Sequence, residues 1–130
     1  MFKDVYHIGL QTDDADAAIA FAEKAFGGRV TNEARNPDGS RLVFMRWGNT
    51  DVEIIQPGDK SVLGGKTGFI LHHIGYTVDK IEESLAELEG KGMKRLWPEA
   101  RTNVEGARVQ YMDPASMNGL NMHLTERPKS

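Results

Sequence analysis

Two stretches of the chain decide its fold, because they repeat one pattern. Residues 7–29 are HIGLQTDDADAAIAFAEKAFGGR, and residues 73–95 are HIGYTVDKIEESLAELEGKGMKR. Both begin with His-Ile-Gly, both place an aspartate at the same point (Asp13 and Asp79), and the second copy starts about 66 residues after the first. Such a repeat indicates a fold made of two similar modules.

Each copy predicts a strand followed by a helix. An apolar or alternating run is typical of a buried strand, and an aspartate after it suits a helix N-cap. Asp13 or Asp14 takes this place in the first copy. Asp79 takes it in the second copy, where Glu82 completes a capping box. Apolar residues at helical spacing follow in both copies, and glycines end the predicted helices.

Three more strand-like runs follow each helix, and turn-forming residues such as Asn36, Pro37 and Gly39 separate them. The order in each copy is therefore β-α-β-β-β, and the sequence predicts an α+β fold of two tandem βαβββ modules. The predicted strands are residues 5–12, 28–34, 41–47 and 51–56 in the first copy and residues 70–78, 93–98, 106–112 and 119–125 in the second.

The length of the chain, 130 residues, suits one domain with a sizeable core. We predict a single domain over residues 1–130. Its first module covers about 1–57, a linker rich in Gly and Lys covers about 58–69, and its second module covers about 70–126.

The composition excludes several classes of function. The 16 basic and 19 acidic residues are spread along the chain and give a net charge of −3, so there is no basic face for nucleic acid. The absence of cysteine excludes disulfides and thiol chemistry. No run approaches the roughly 20 apolar residues of a membrane span, and the start lacks a signal-peptide pattern. We therefore expect a cytoplasmic protein without a membrane partner.

The histidines give the first indication of chemistry, because three of the four fall at matching places in the repeat. His7 and His73 open the two copies. Glu53 and His123 correspond in the same way, about 70 residues apart in the last predicted strand of each module. A carboxylate between apolar neighbours on a buried strand is costly unless something compensates its charge, and a metal ion would do so.

Strand alternation predicts that these four side chains share the face of the sheet that the helices do not cover. A single strand histidine is more often a hydrogen-bonded core residue, but the symmetry of the set favours a metal site. Three nitrogens and one oxygen suit Zn, Ni, Co, Mn or Fe better than Mg or Ca. We predict one divalent transition metal per chain, bound by His7, Glu53, His73 and His123. His72 points to the other face and is interpreted as packed or as support behind the ligands.

The same alternation suggests which polar side chains lie beside the metal. Arg46 would face inward together with Leu42 and Phe44, and Arg108 and Gln110 are the candidates in the second module. An arginine on this face could hold a substrate carboxylate through two hydrogen bonds. We predict that these three polar residues bind the substrate, a small molecule. The alternative for each is an ordinary surface or core position.

At these residues the chain resembles the vicinal oxygen chelate superfamily, which includes glyoxalases, bleomycin resistance proteins and extradiol dioxygenases. The resemblance covers nearly the whole chain and is closest in pattern to methylmalonyl-CoA epimerases and lactoylglutathione lyases. It rests on HIGL near the start, LVFMRWGNTDVEIIQP at 42–57, LHHIGYTVDKIEESLAELEGKG at 71–92, and a final strand after MDPASMNGL at 112–120.

The resemblance implies that the two modules form a curved, cup-shaped mixed sheet around the metal, with ligands from the first and last strands of each. It also implies that the metal chelates neighbouring oxygens of the substrate while an enediolate forms during proton transfer, as in epimerases, isomerases and lyases. Glu53 is then the leading candidate for the base, and His123 is the second. At position 123 the chain departs from the epimerases and lyases, which carry a glutamate there.

Two other functions remain open from the sequence. An Fe(II) ion in this site would allow cleavage of a ring by dioxygen, as in extradiol dioxygenases. Without a metal, the cup would suit the sequestration of a drug or an apolar ligand, although retention of four metal-type side chains argues against this. The resemblance, together with exposed sheet edges, also predicts a homodimer.

Overall fold

The computed structural model describes residues 2–128, which form two compact units. The N-terminal unit is His7–His72, and the C-terminal unit is residues 2–6 together with residues 73–128. Both predicted modules are present, each in the order β-α-β-β-β. None of the helices among the described residues is long and apolar enough to cross a membrane. The first module consists of β1 (Asp4–Gln11), α1 (Ala15–Phe26), β2 (Arg29–Arg35), β3 (Arg41–Trp47) and β4 (Thr50–Gln56). The second consists of β5 (Ile70–Thr77), α2 (Ile81–Gly90), β6 (Arg101–Thr102), β7 (Arg108–Tyr111) and β8 (Met122–Glu126).

In the N-terminal unit the strands lie in the order β2-β3-β4-β1. The strands that open and close the module, β1 and β4, are parallel neighbours, whereas β2, β3 and β4 pair antiparallel. In this register Gly9 lies opposite Glu53. Helix α1 packs on one face of β3 and β4, and its core consists of Ala18, Ala22, Val43, Met45, Val52 and Ile54.

The C-terminal unit repeats this arrangement with the strand order β5-β8-β7-β6. Here β5 is parallel to β8, and Gly75 lies opposite His123 as Gly9 lies opposite Glu53. Full burial of a large apolar side chain contributes roughly 1.5–3 kcal/mol, so the helix-covered face of each sheet provides much of the folding free energy. The core on α2 consists of Val78, Ile81, Leu85, Leu88, Met112, Met122 and Leu124.

One predicted strand is wrong. Residues 93–98 form no strand, because only Arg95 makes an isolated bridge to the neighbouring segment. Pro98 has no N–H with which to continue a strand ladder. The carbonyl of Trp97 accepts a hydrogen bond from the Gln110 side chain at 2.9 Å instead. The strand at this edge is the two-residue β6, which follows the proline.

The predicted linker, residues 58–69, is structured. Lys60–Leu63 form a 3-10 helix whose first turn is capped by the Asp59 side chain. Further along, the Gly68 N–H donates to the Asp13 carboxylate at 2.9 Å. Asp13 therefore ties the end of this segment to the start of the module, which leaves the cap of α1 to the next residue.

The two helices begin in different ways. Asp14 caps α1, because its carboxylate accepts from the Ala17 N–H at 3.1 Å. The predicted cap of α2 by Asp79 is wrong. Lys80 occupies the N-cap position and makes no side-chain cap hydrogen bond. Asp79 and Glu82, which were predicted to cap this helix, form ion pairs with other residues instead.

The last strand of each module supplies an acceptor to the start of its helix. Gln56, at the end of β4, accepts from the Ala15 N–H at 2.8 Å, and Glu126, at the end of β8, accepts from the Ile81 N–H at 2.9 Å. Both donor residues are buried. An unpaired buried N–H costs about 1–3 kcal/mol, so these two contacts stabilise the docking of each helix onto its sheet.

We expect Gln56→Ala and Glu126→Ala each to lower the free energy of unfolding by about 1–2 kcal/mol, because each leaves a buried helix N–H without its acceptor. Asp79→Ala is the matched control, since Asp79 lies outside α2 and pairs with Lys3. Its effect should be much smaller. Urea unfolding followed by circular dichroism measures all three, and an Asp79→Ala effect as large as that of Glu126→Ala would refute the assignment.

Candidate metal centre

His7 and Glu53 lie side by side in the N-terminal unit. Strand β1 runs parallel to β4, and Gly9 lies opposite Glu53. His7 lies two residues before Gly9 on β1, so the His7 side chain is on the same face of the sheet as Glu53. The Nε2 atom of His7 is 3.7 Å from a carboxylate oxygen of Glu53. The two side chains are 6% and 13% exposed. The first and last strands of the module thus contribute one ligand-type side chain each, and the two side chains lie next to each other.

The surroundings of Glu53 make this pair unusual for a protein core. Its chain neighbours Val52 and Ile54 belong to the core on α1. Alternation turns Glu53 to the opposite face, where Phe44 is its cross-strand partner. Removing a carboxylate from water costs about several kcal/mol unless a cation or hydrogen bonds compensate its charge. A metal ion bound beside His7 would provide that compensation.

His73 and His123 form the corresponding pair in the C-terminal unit. Both are buried, and their ring centroids are 5.0 Å apart. Tyr111, the cross-strand partner of His123 on β7, packs its ring edge against both imidazoles, at 5.6 Å and 4.9 Å between centroids. Tyr111 was not among the predicted site residues. Its place opposite His123 in the β7–β8 register is the signal that identifies it.

Gly75 gives a physical reason for the glycine of the His-Ile-Gly motif in the second copy. It lies opposite His123 on the neighbouring strand, and a Cβ atom added to it would overlap the His123 imidazole. The glycine therefore provides the space that the ring occupies, while His73 two residues earlier presents its own imidazole on the same face. The motif therefore supplies one ligand candidate, His73, and leaves room for the ring of another, His123.

Two ionisable residues that neighbour the ligand candidates in sequence have shifted pKa values. Burial, together with a 2.6 Å hydrogen bond in which its hydroxyl donates to Glu105, raises the pKa of Tyr6. The Tyr6 ring lies 6.4 Å from the ring of His123. Burial lowers the pKa of His72. Both side chains are therefore neutral near pH 7 and add no charge there.

The donor groups suit a divalent transition metal. His7, His73 and His123 are all buried, and each could supply a neutral imidazole nitrogen. Glu53 could supply a carboxylate oxygen. Imidazole donors favour Zn, Ni, Co, Mn and Fe, whereas Mg and Ca prefer oxygen ligands. The residues present therefore fit the predicted class of metal.

Arg46 lies on the same face of its sheet as Glu53. Val43 and Met45 on β3 both pack in the core on α1. Side chains alternate along the strand, so Arg46 points to the face away from that core. Arg46 is opposite Asp51 in the β3–β4 register and donates to its carboxylate at 2.8 Å. Both side chains of this ion pair are partly exposed. The predicted inward-facing arginine is thus on the expected face, with part of its guanidinium already bonded.

Arg108 and Gln110 lie on the opposite face from His123. Their cross-strand partners on β8 alternate with His123 and point toward α2. Arg108 is 2.6 Å from Glu82 on that helix, and the fully buried Gln110 donates to the Trp97 carbonyl. Both line a cavity of about 370 Å³ beside α2. Their predicted place beside the metal ligands therefore does not agree with the strand register, which turns them toward the helix.

We expect Gly75→Ala to lower the free energy of unfolding by about 1–3 kcal/mol, because its methyl group would occupy space held by the His123 ring. Gly90→Ala is the matched control, since a Cβ atom there meets nothing within 4 Å at the end of α2. That substitution should leave stability unchanged or raise it. Thermal unfolding of both variants tests this, and equal stability of Gly75→Ala and the wild type would contradict the close fit.

Comparison with known proteins identifies relatives over nearly the whole chain. Human mitochondrial methylmalonyl-CoA epimerase is 28% identical over 127 residues, which cover 92% of this chain and 72% of that protein. A crystal structure of selenomethionine-labelled methylmalonyl-CoA epimerase is 26% identical, with a TM-score of 0.87 over 99% of this chain and 98% of the other. A Streptomyces coelicolor epimerase variant in complex with 2-nitronate-propionyl-CoA is 21% identical, with a TM-score of 0.86 over 99% of this chain and 100% of the other.

The structural likeness confirms the predicted fold of paired βαβββ modules. The family model described as the glyoxalase/bleomycin resistance protein/dioxygenase superfamily matches residues 6–111, which is most of the chain. That segment contains three of the four ligand candidates, His7, Glu53 and His73. The sequence repeat, the fold and this match agree, and the chain belongs to the glyoxalase/bleomycin resistance protein/dioxygenase superfamily.

Proposed function

We propose that this chain is a metal-dependent isomerase that moves a proton at the carbon between the carboxylate and the thioester carbonyl of a small acyl-CoA, as a methylmalonyl-CoA epimerase does. The observation that carries the proposal is the matching pair of half-sites, His7 with Glu53 and His73 with His123. The likeness to human methylmalonyl-CoA epimerase supports the substrate class.

We further propose that His7, Glu53, His73 and His123 bind one divalent transition metal between them. Each half-site offers two ligand groups, whereas zinc-type sites take three or four protein ligands. One shared ion would have three imidazole nitrogens and one carboxylate oxygen. It would also compensate the charge of the Glu53 carboxylate.

The chain's own residues divide the chemical work as follows. A metal held by these groups would supply a Lewis acid for the carboxylate and thioester oxygens of the substrate. Glu53 is assigned as the base that takes the proton from the carbon between them, because it is the one carboxylate of the four. A carboxylate has two oxygens, so one can serve as ligand while the other accepts the proton.

Arg46 is assigned to the substrate. It lies on the face of Glu53, and its guanidinium has five N–H donors, of which the ion pair with Asp51 uses only some. A negatively charged substrate group could take the others through a bidentate contact. Arg108 and Gln110 are left out of this assignment, because both face α2.

We expect protein purified without added metal to contain about one transition metal ion per chain, and the metal-free protein to be stabilised by Zn(II) or Co(II). At a hundredfold excess over Kd, one bound ion raises the free energy of unfolding by about 2.7 kcal/mol. His7→Ala and His73→Ala should each weaken binding, whereas His72→Gln, which changes the neighbouring histidine, should keep it. Elemental analysis and thermal shifts measure both. A wild-type protein that contains no metal and shows no shift with either ion would refute the metal site.

We expect Glu53→Gln to lower turnover by about a hundredfold, the range of general-base catalysis, while the three histidines retain much of the metal. The measurement is incorporation of solvent deuterium into methylmalonyl-CoA, with metal content determined on the same sample. His72→Gln again serves as the control, with exchange close to the wild-type rate. Exchange that persists in Glu53→Gln would exclude Glu53 as the base. Consumption of oxygen with a catechol, without proton exchange, would favour the dioxygenase reaction instead.

The predicted homodimer stays a prediction, because the structure describes one chain. Strand β2 stands at the end of the strand order in its unit, and nearly all of its residues are exposed. An exposed strand edge of this kind is a surface that a second copy can cover. The mass measured by sedimentation at micromolar concentration tests the prediction.

A further inference from the structure

Thr125 contacts His123 in the interior of the C-terminal unit. The two residues are two positions apart on β8, so their side chains share one face. The Oγ1 atom of Thr125 lies 2.7 Å from the Nδ1 atom of His123, within hydrogen-bond distance. Thr125 is fully buried, and His123 is 2% exposed. No bulk water therefore competes for this contact.

The rest of the surroundings confine the His123 ring. Gly75 lies against one side of it, and a methyl group there would overlap the ring. The rings of Tyr111 and Tyr6 lie edge-on to it, at 4.9 Å and 6.4 Å between centroids. With Nδ1 directed at Thr125, Nε2 is the ring nitrogen that would serve as a metal ligand.

The chemistry of imidazole gives this contact a consequence. A neutral imidazole has one N–H and one nitrogen lone pair, and a metal takes the lone pair. If Nε2 binds the metal, Nδ1 must carry the proton, and that N–H requires a buried acceptor. The Thr125 hydroxyl oxygen is in place to accept it. A hydroxyl can both donate and accept, so it can also satisfy the ring before a metal arrives.

We propose that Thr125 is a positioning residue, which accepts the Nδ1–H of His123 and orients the ring so that Nε2 is the nitrogen that would bind the metal. This inference rests on the metal site proposed above.

The chain offers a closely matched control for Thr125. Thr77 is its partner in the β5–β8 register and is also buried. The hydroxyl of Thr77 makes no hydrogen bond within the described residues. Thr77→Val and Thr125→Val therefore make the same chemical change at neighbouring positions, and only the second removes a contact to His123.

The test measures the affinity of the metal-free protein for Zn(II) by competition with a chelator. We expect Thr125→Val to bind Zn(II) about 10–100-fold more weakly than the wild type, the range found when a partner of a ligating histidine is removed. Thr77→Val should bind as the wild type does, and Thr125→Ser, which keeps the hydroxyl, should recover most of the affinity. A purely structural role for Thr125 would change the stability of the metal-free protein without this selective loss of affinity.

The outcomes separate this inference from the proposed function. If the wild type binds Zn(II), His123→Ala loses it and Thr125→Val keeps it, the inference is overturned and the metal site stands. If the wild type binds no Zn(II), both fall. Should Thr125→Val fail to fold, the ¹⁵N NMR spectrum of zinc-loaded wild type gives the answer. Protonation of His123 at Nδ1 supports the inference, and zinc bound at Nδ1 overturns it.

Discussion

The parallel pairing of the first and last strands within each module is the constraint on which the rest of the structure depends. It sets Gly9 opposite Glu53 and Gly75 opposite His123, so the glycine of each His-Ile-Gly motif meets the ligand candidate of the last strand. The histidine two residues before each glycine then shares the same face. One backbone register therefore pairs His7 with Glu53 and, in the second copy, the two imidazoles, without any contribution from loops.

The same strands position the helices. The last residue of each closing strand, Gln56 or Glu126, accepts a hydrogen bond from the start of the helix in its own unit. The alternate residues of these strands pack in the helix cores. Glu53 and His123 are thereby turned to one face of their sheets, and their apolar chain neighbours are turned to the other. Glu53 thus lies on a strand whose other face, through Val52 and Ile54, contributes folding free energy.

The repeat and the alternation of side chains were sufficient to predict the βαβββ order and the strand faces on which Glu53, His123 and Arg46 lie. These features depend on local pattern. The errors involve partners that are distant in sequence. Asp79 matches the pattern of a helix cap, yet α2 takes its acceptor from Glu126, which lies 45 residues away. Arg108 and Gln110 are polar, but their register with β8 turns them toward α2, and the sequence of a four-residue strand does not reveal that register.

We propose that two half-sites, one from each copy of the repeat, bind a single ion. Anomalous diffraction from crystals of the Co(II)-loaded protein, recorded at the cobalt absorption edge, tests it most directly. The account predicts one peak per chain, coordinated by one nitrogen each from His7, His73 and His123 and by an oxygen of Glu53, at about 2.0–2.2 Å as in zinc-type sites. Two separate peaks, one at each half-site, or a peak that contacts none of these residues, would contradict it.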